Sequence, residues 1–168
     1  NADMTFALGQ AFAIETGIDG GRGTTVIGHD MRDTSPALMQ AFSDGVRAEG
    51  GGVITIGLAS TDLLYFASGD LDLPGAMITA SHNPPSYNGF KLKSSFGGPS
   101  VPDDIAAVEN HIPDKPMKDL DSLDKMKENG LLTYMNLEDM YYDHVMASFD
   151  IPAIRNSTFT IGYDAMYG

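Results

Sequence analysis

Three short runs of apolar and β-branched residues, each bounded by glycine, constrain the fold of this chain more than any other feature. They are Thr24-Thr25-Val26-Ile27-Gly28, Gly52-Val53-Ile54-Thr55-Ile56-Gly57 and Gly75-Ala76-Met77-Ile78-Thr79. Runs of this length and composition predict buried strands. The segments between them carry helical spacing instead. Ser35-Pro36 sets an N-cap with proline at the first helical position, and Leu38, Ala41, Phe42, Val46 and Ala48 continue one apolar face to about Gly50. Thr61 opens a shorter capped helix through Leu63, Leu64, Phe66 and Ala67. Upstream, Met4, Phe6, Ala7, Leu8, Ala11, Phe12 and Ile14 predict a first helix that Gly17 closes. Downstream, Gly89-Phe90-Lys91-Leu92-Lys93 predicts a further strand and Pro102 to Ile112 a further helix. Alternation of this kind implies an α/β fold, a layered αβα domain around a mixed, mostly parallel sheet. Ligands of such sheets lie beyond the carboxyl ends of the strands, where the loops His29 to Asp33 and Ala80 to Asn88 emerge and are expected to share one cleft.

Beyond residue 112 the pattern weakens. Pro113 to Glu128 is acidic, holds two prolines and lacks an apolar face, so it reads as a solvated excursion. Leu137, Met140, Tyr141, Val145 and Phe149 resume helical spacing until Pro152 breaks it. A boundary near Asp150 follows, with residues 1–150 as one domain and 151–168 as the start of a second, whose first strand would be Thr158 to Tyr163. The chain starts without methionine and stops just after that strand-like run, as expected of a piece cut from a longer polypeptide.

Charge and residue types narrow the partners. A formal charge of −13, with ten Lys and Arg residues scattered singly, repels nucleic acid phosphates. No apolar run approaches the roughly 18 residues of a membrane span, so neither a nucleic acid nor a membrane is expected as a partner, and the cytoplasm is the default compartment. Without cysteine there is no thiolate metal site and no cysteine nucleophile. His29, His111 and His144 lack metal-ligand spacing, and the pairs Asp70/Asp72 and Asp119/Asp121 lack the rest of a calcium loop.

The stretch that carries chemistry is Thr79-Ala80-Ser81-His82-Asn83-Pro84-Pro85-Ser86-Tyr87-Asn88-Gly89-Phe90-Lys91. A hydroxyl nucleophile stands beside an imidazole, and two prolines stiffen the turn. A serine that holds a phosphoryl group needs a fixed loop, donors for the oxygens and cations to offset about −1.5 to −2 charges. His82, Asn83 and Lys91 are the candidates, with reversal through Asn88-Gly89 expected to return Lys91 towards Ser81. Arg32 is a further candidate, either fixing the serine loop, contacting phosphate or pairing locally with Asp33.

The string TASHNPPSYNGFKL resembles the phosphoserine loop of the α-D-phosphohexomutases, above all the phosphomannomutase/phosphoglucomutase group. Gly28-His29-Asp30-Met31-Arg32-Asp33-Thr34-Ser35-Pro36 is similar to a second segment of that family, departing at His29 where arginine is usual. Gly57 to Thr61 is similar to its strand-to-helix turn, and Gly162 to Gly168 to the opening of its second domain. The resemblance implies that Ser81 carries a phosphoryl group exchanged with a hexose phosphate through a bisphosphorylated sugar. It also implies that His82 and Lys91 serve proton transfer and charge stabilisation, and that Asn83 and Arg32 bind phosphate or substrate. Mg²⁺ would be held by the Ser81 phosphate together with aspartates of a second domain, and glucose 1,6-bisphosphate or a similar molecule would act as activator. No Asp-Gly-Asp-Gly-Asp-like string occurs here, nor does the family's arginine-bearing strand before the first helix. The remaining domains of the same polypeptide are therefore the implied partners, and this chain alone is expected to be inactive. The alternative is a non-catalytic α/β binding module with a vestigial serine loop. A serine hydrolase lacks support, because no Gly-x-Ser-x-Gly elbow surrounds Ser81.

Overall fold

The computed structural model describes residues 1–116 and 123–166. The three glycine-bounded runs are strands β1 (Thr24–His29), β2 (Gly52–Leu58) and β3 (Gly75–Ile78). They join β4 (Phe90–Ser94), β5 (Gly98–Pro99) and β6 (Leu132–Tyr134) in a six-stranded sheet of order β5-β4-β3-β1-β2-β6. Strands β3, β1, β2 and β6 run parallel, while β4 returns antiparallel to β3, and β5 antiparallel to β4. Helix α2 (Ser35–Ala48) joins β1 to β2, and α3 (Thr61–Leu71) joins β2 back across β1 to β3. Right-handed crossovers that run in opposite directions along the sheet put their helices on opposite faces, which gives the αβα layering. Helix α1 (Ala2–Glu15) packs on α2, and α4 (Pro102–Asn110) on α1.

The α1–α2 contact is made backbone to backbone. A Cβ on Gly9 would overlap the Phe42 carbonyl, and one on Gly45 would overlap the Phe6 carbonyl. Two glycines at one crossing let the helices approach closely enough for Phe12 and Phe42 to meet under them at 5.4 Å, with Phe90 of β4 stacked 5.7 Å beyond. Ile27, Val53, Ala76 and Ile78 from the sheet complete this buried core. The first helix stops as its sequence requires. Gly17 takes φ +70°, its N–H donates to Ile14 and the N–H of Ile18 reaches back to Ala13, a Schellman closure.

The ladder between β1 and β2 slips by one residue at Gly28, where Ile56 is bulged out of β2 and Gly57 adopts φ +68°. A side chain at Gly28 would press on that Ile56. The irregularity lies at the carboxyl end of both strands, where bulges redirect the emerging loops.

Several local expectations change. Helix α2 begins at Ser35, its cap residue Thr34 makes no side-chain capping bond, and the Ser35 hydroxyl is used elsewhere. Ser60, not Thr61, caps α3 through the Leu63 N–H. Met4 faces solvent rather than the core. Strands β5 and β6 are two and three residues long, too short for their sequence to announce them. The acidic excursion contains a short helix, α5 (Leu123–Glu128), while residues 117–122, with Asp119 and Asp121, lie outside the described residues, as do 167 and 168.

The chain forms two compact units, Asn1–Leu137 and Glu138–Gly168. The second holds α6 (Glu138–Ser148) and α7 (Ile151–Arg155), so the division precedes the expected one near Asp150 by one helix. Pro152 occupies the first turn of α7, where its missing N–H costs nothing, and so begins a helix as well as following one. Thr158 to Tyr163 forms no strand; Phe159, Ile161 and Tyr163 are all highly exposed. A β-prone segment becomes a strand only when another strand satisfies its backbone, and no strand among the described residues pairs with this one.

The glycine crossing yields a direct test. Alanine at 45 gains helix propensity of about 1 kcal/mol, yet its methyl meets a backbone carbonyl that cannot move aside, a net loss of about 2–3 kcal/mol. Gly45→Ala is expected to lower the thermal midpoint by about 4–12 °C, measured by calorimetry on the chain. An unchanged midpoint would show that the helices can separate without cost.

Candidate functional site

Strands β1 and β3 are hydrogen-bonded neighbours, with His29 opposite Ile78, so the loops that follow them emerge side by side. The N–H of Asp30 donates to the Ile78 carbonyl at 3.0 Å, continuing the ladder one residue into the loops. The second loop then turns outward and comes back. The Thr79 N–H bonds the Gly89 carbonyl at 2.9 Å, and Ile78 faces Phe90 across the β3–β4 pair. Ser81 is therefore the exposed tip of a closed loop, and its hydroxyl lies outside the core.

One guanidinium holds that loop. Arg32 Nη1 donates to the carbonyls of Pro84 (2.7 Å) and Tyr87 (3.0 Å), and Nη2 to those of Ser81 (2.8 Å) and Asn83 (2.8 Å). Its Nε donates to Asp30 Oδ2 at 3.0 Å. A guanidinium has five N–H donors in a rigid fork, and all five are engaged here. The local partner is Asp30, two residues before it, rather than Asp33.

Asp30 is the centre of a wider set of bonds. Its carboxylate accepts from the Arg32 backbone N–H at 3.1 Å, from the Ser35 hydroxyl at 2.6 Å and from the Thr79 hydroxyl. The Thr79 oxygen in turn accepts the Ser81 N–H at 2.9 Å. Fully buried Ser35 also accepts from the Asn88 side-chain amide at 2.8 Å, whose second hydrogen goes to Thr34 at 2.9 Å and whose oxygen takes the Gly89 N–H at 2.8 Å. Both arms of the loop are thus tied to the first turn of α2. Within this frame Ser81 adopts φ +54°, a left-handed conformation costing a non-glycine residue about 1–2 kcal/mol.

Asp30, Met31, Arg32, Asp33, Thr79, Ser81, Asn83 and Pro85 line one open cleft of about 460 Å³, so the two loops do share a cavity. Ser81, Asn83 and Arg32 meet there, with exposed His82 next to Ser81 in the same loop. Lys91 stands apart from that lining. It is exposed on β4 opposite Met77, on the same strand face as Lys93, whose ammonium lies 3.7 Å over the Tyr65 ring. The reversal through Asn88-Gly89 occurs, but Lys91 lines a separate pocket of about 340 Å³ with Tyr65, Lys93 and Glu109. No cluster of three or more His, Cys, Asp or Glu side chains able to hold a metal occurs among the described residues. Asp30, Thr79, Ser35 and Asn88 were not singled out by spacing, since residues near 30 and near 80 meet only because β1 and β3 pair.

Burial alone would raise the Asp30 carboxyl, but bonds from Ser35, Thr79 and both the backbone and side chain of Arg32 outweigh it and hold it below the usual value. A carboxyl depressed on folding contributes stability that is fully present above the unfolded value, about 3.9, and is lost as pH falls through the folded one. Urea unfolding followed from pH 7 to pH 2 is expected to show a decline below about pH 4 that is shallower in Asp30→Asn, which is also less stable at pH 7. Equal slopes for the two proteins would contradict the assignment.

Residues 1–118 match the family model for phosphoglucomutase/phosphomannomutase, alpha/beta/alpha domain I. The phosphohexose mutases of Xanthomonas campestris pv. campestris are 47% identical over 93 residues, which cover 55% of this chain and 20% of that protein. A phosphoglucomutase of Neisseria gonorrhoeae is 30% identical over 148 residues, covering 86% of this chain and 30% of the relative. The crystal structure of a Thermus thermophilus protein assigned as a phosphomannomutase superposes with a TM-score of 0.79 at 30% identity, over 92% of this chain and 33% of that one. The chain thus spans between a fifth and a third of the length of these relatives. The matched span contains β1 to β4, both loops and the whole Asp30–Arg32–Ser81 assembly, so this chain belongs to the α-D-phosphohexomutase family, and residues 1–118 are its α/β/α domain I.

Proposed function

We propose that this chain is the phosphoserine-carrying domain of a phosphohexomutase that interconverts hexose 1-phosphate and hexose 6-phosphate, with glucose or mannose as the sugar. The observation that supports it best is Ser81 itself, exposed at a cleft beyond the parallel strands, with backbone strained to φ +54° and a loop fixed by a five-bonded guanidinium. Strain held in place by its surroundings is a property of functional positions. The names of the relatives, phosphoglucomutase and phosphohexose mutase, agree with this reading.

In the proposed reaction a sugar hydroxyl attacks the phosphorus of phosphorylated Ser81. The bond from phosphorus to the serine oxygen breaks, that oxygen takes up a proton and a bisphosphorylated sugar is left. After the sugar turns round, the Ser81 hydroxyl attacks its other phosphate, restoring phosphoserine and releasing the isomer. Charge spreads over the transferring oxygens, so placement of the groups around them supplies most of the acceleration. His82 serves proton transfer beside the serine, Lys91 offsets charge, and Asn83 contacts phosphate or substrate. Arg32, its donors all committed to the loop and Asp30, acts by holding Ser81 rather than by adding a phosphate contact. Mg²⁺ when bound would neutralise charge on the phosphate. Ser81 is the one ligand proposed here, since the described residues offer no carboxylate cluster to hold the ion. The second unit would open the next domain, and the compartment would be the cytoplasm.

Intact mass spectrometry of the longer protein that carries this chain is the test. Incubation with glucose 1,6-bisphosphate is expected to add one phosphate, and Ser81→Ala to abolish the gain. The 168-residue chain alone is expected to give no turnover of glucose 1-phosphate. No mass gain in the longer protein would favour the binding-module reading and defeat this one.

A further inference from the structure

Both polar groups of the Ser81 peptide unit trace back to a single carboxylate. The Ser81 N–H donates to the Thr79 hydroxyl, which donates to Asp30. The Ser81 carbonyl accepts from Arg32 Nη2, and Nε of the same guanidinium is fixed by Asp30 Oδ2. A third path runs from Asp30 through buried Ser35 to Asn88 and the Gly89 N–H, the point where the loop re-enters the sheet.

A left-handed serine is costly, and a loop of eleven residues from Thr79 to Gly89 has many cheaper shapes. What selects this one must act on the serine from both sides. Arg32 alone grips carbonyls and leaves the Ser81 N–H untouched. Thr79 alone has a hydroxyl that can rotate, and its orientation is set by the acceptor it donates to. Asp30 is common to both. Its own place is fixed by the ladder bond from its N–H to Ile78, so the reference point is the sheet and not the loop.

We propose that Asp30 is a positioning residue for phosphoryl transfer at Ser81, orienting the serine through Thr79 on one side and Arg32 on the other before phosphate or sugar arrives. The transfer half rests on the phosphoserine reading, whereas the loop-setting half does not. An attacking or departing oxygen displaced by about 1 Å loses about a hundredfold in rate, so a carboxylate that never touches the substrate can govern the step. Asparagine at 30 keeps the shape but turns one acceptor into a donor, set against either the Arg32 Nε–H at Oδ2 or the Ser35 hydroxyl and Arg32 N–H at Oδ1.

Two measurements decide it. Amide hydrogen exchange of the chain reads the loop through the N–H groups of Asn83 and Tyr87, which bond Ala80 and Pro84 within it. In Asp30→Asn their protection is expected to fall about tenfold further than that of the β1 amides. Ser35→Ala, which leaves the Asp30 bonds to Thr79 and Arg32 in place and removes the path to Asn88 together with one bond to Asp30, is expected to cost the loop about threefold. In the longer protein, the maximal rate of phosphate gain from glucose 1,6-bisphosphate is expected to fall about tenfold to a hundredfold in Asp30→Asn. The half-saturating concentration should change by less than about threefold, since binding contacts are untouched.

Loop protection that falls no further than that of the core, or phosphate gain at the unaltered maximal rate, overturns the proposal. Should Asp30→Asn fail to fold, Thr79→Val, which removes the hydroxyl that links the Ser81 N–H to Asp30, decides it, a loss confined to the loop supporting and an even loss overturning. A wild-type protein that takes no phosphate defeats the phosphoserine reading and the transfer half with it, while the exchange arm still judges whether Asp30 sets the loop.

Discussion

The structure around Ser81 is organised by one cation enclosed in backbone. Four carbonyls of the serine loop converge on the guanidinium of Arg32, so the loop is wrapped about a charge that belongs to a different loop. Such an arrangement is stable only if the cation is itself anchored and neutralised, and Asp30 does both. Hydrogen bonds to charged groups contribute about 1.5–3 kcal/mol each, enough together to outweigh the left-handed backbone at Ser81. The rest of the domain serves this contact. The pairing of β1 with β3 brings the two loops together, and the hairpin return through β4 closes the second of them.

The packing under the sheet explains why that anchor does not drift. Helix α2 starts at Ser35, whose hydroxyl belongs to the Asp30 cluster, and ten residues later the same helix locks to α1 through Gly45. The helix is consequently held at two points, by polar bonds at the site and by backbone contact in the core. Forgoing a side-chain cap at Thr34 costs the helix about 1 kcal/mol, and the Ser35 hydroxyl is used at the site instead.

Much of the fold was legible because its signals are local. Glycine-bounded β-branched runs, the Gly17 closure and the apolar face of α2 each read correctly from a few neighbouring residues, while on α1 Met4 and Ile14 are exposed. Failures came where the deciding partner is distant. Strands β5 and β6 are too short to have a period, and Thr158 to Tyr163 has strand composition but no strand among the described residues to pair with. The site shows the same division. Ser81 and its string were recognisable as a motif, and so was the Gly28 to Pro36 segment. Their meeting was not, because nothing in the spacing says that Asp30 receives the Thr79 hydroxyl or that Asn88 reaches Ser35. Sequence leaves Arg32 three partners to choose from, and the fold commits all five of its donors to the serine loop and Asp30. Lys91 is returned to the sheet by the expected turn and lines the pocket that also holds Tyr65 and Lys93, so its proposed part in charge stabilisation rests on the motif alone.

The backbone at position 81 sets folding and chemistry against each other. Glycine adopts a positive φ freely, so replacing this serine by glycine would relax the tip of the loop while deleting the hydroxyl it presents there. A chain optimised for thermal endurance alone would drift toward that replacement, and gains of this sort commonly carry a loss of activity. Stabilising redesign of the domain should therefore treat the most strained residue of the loop as fixed and seek its improvements elsewhere.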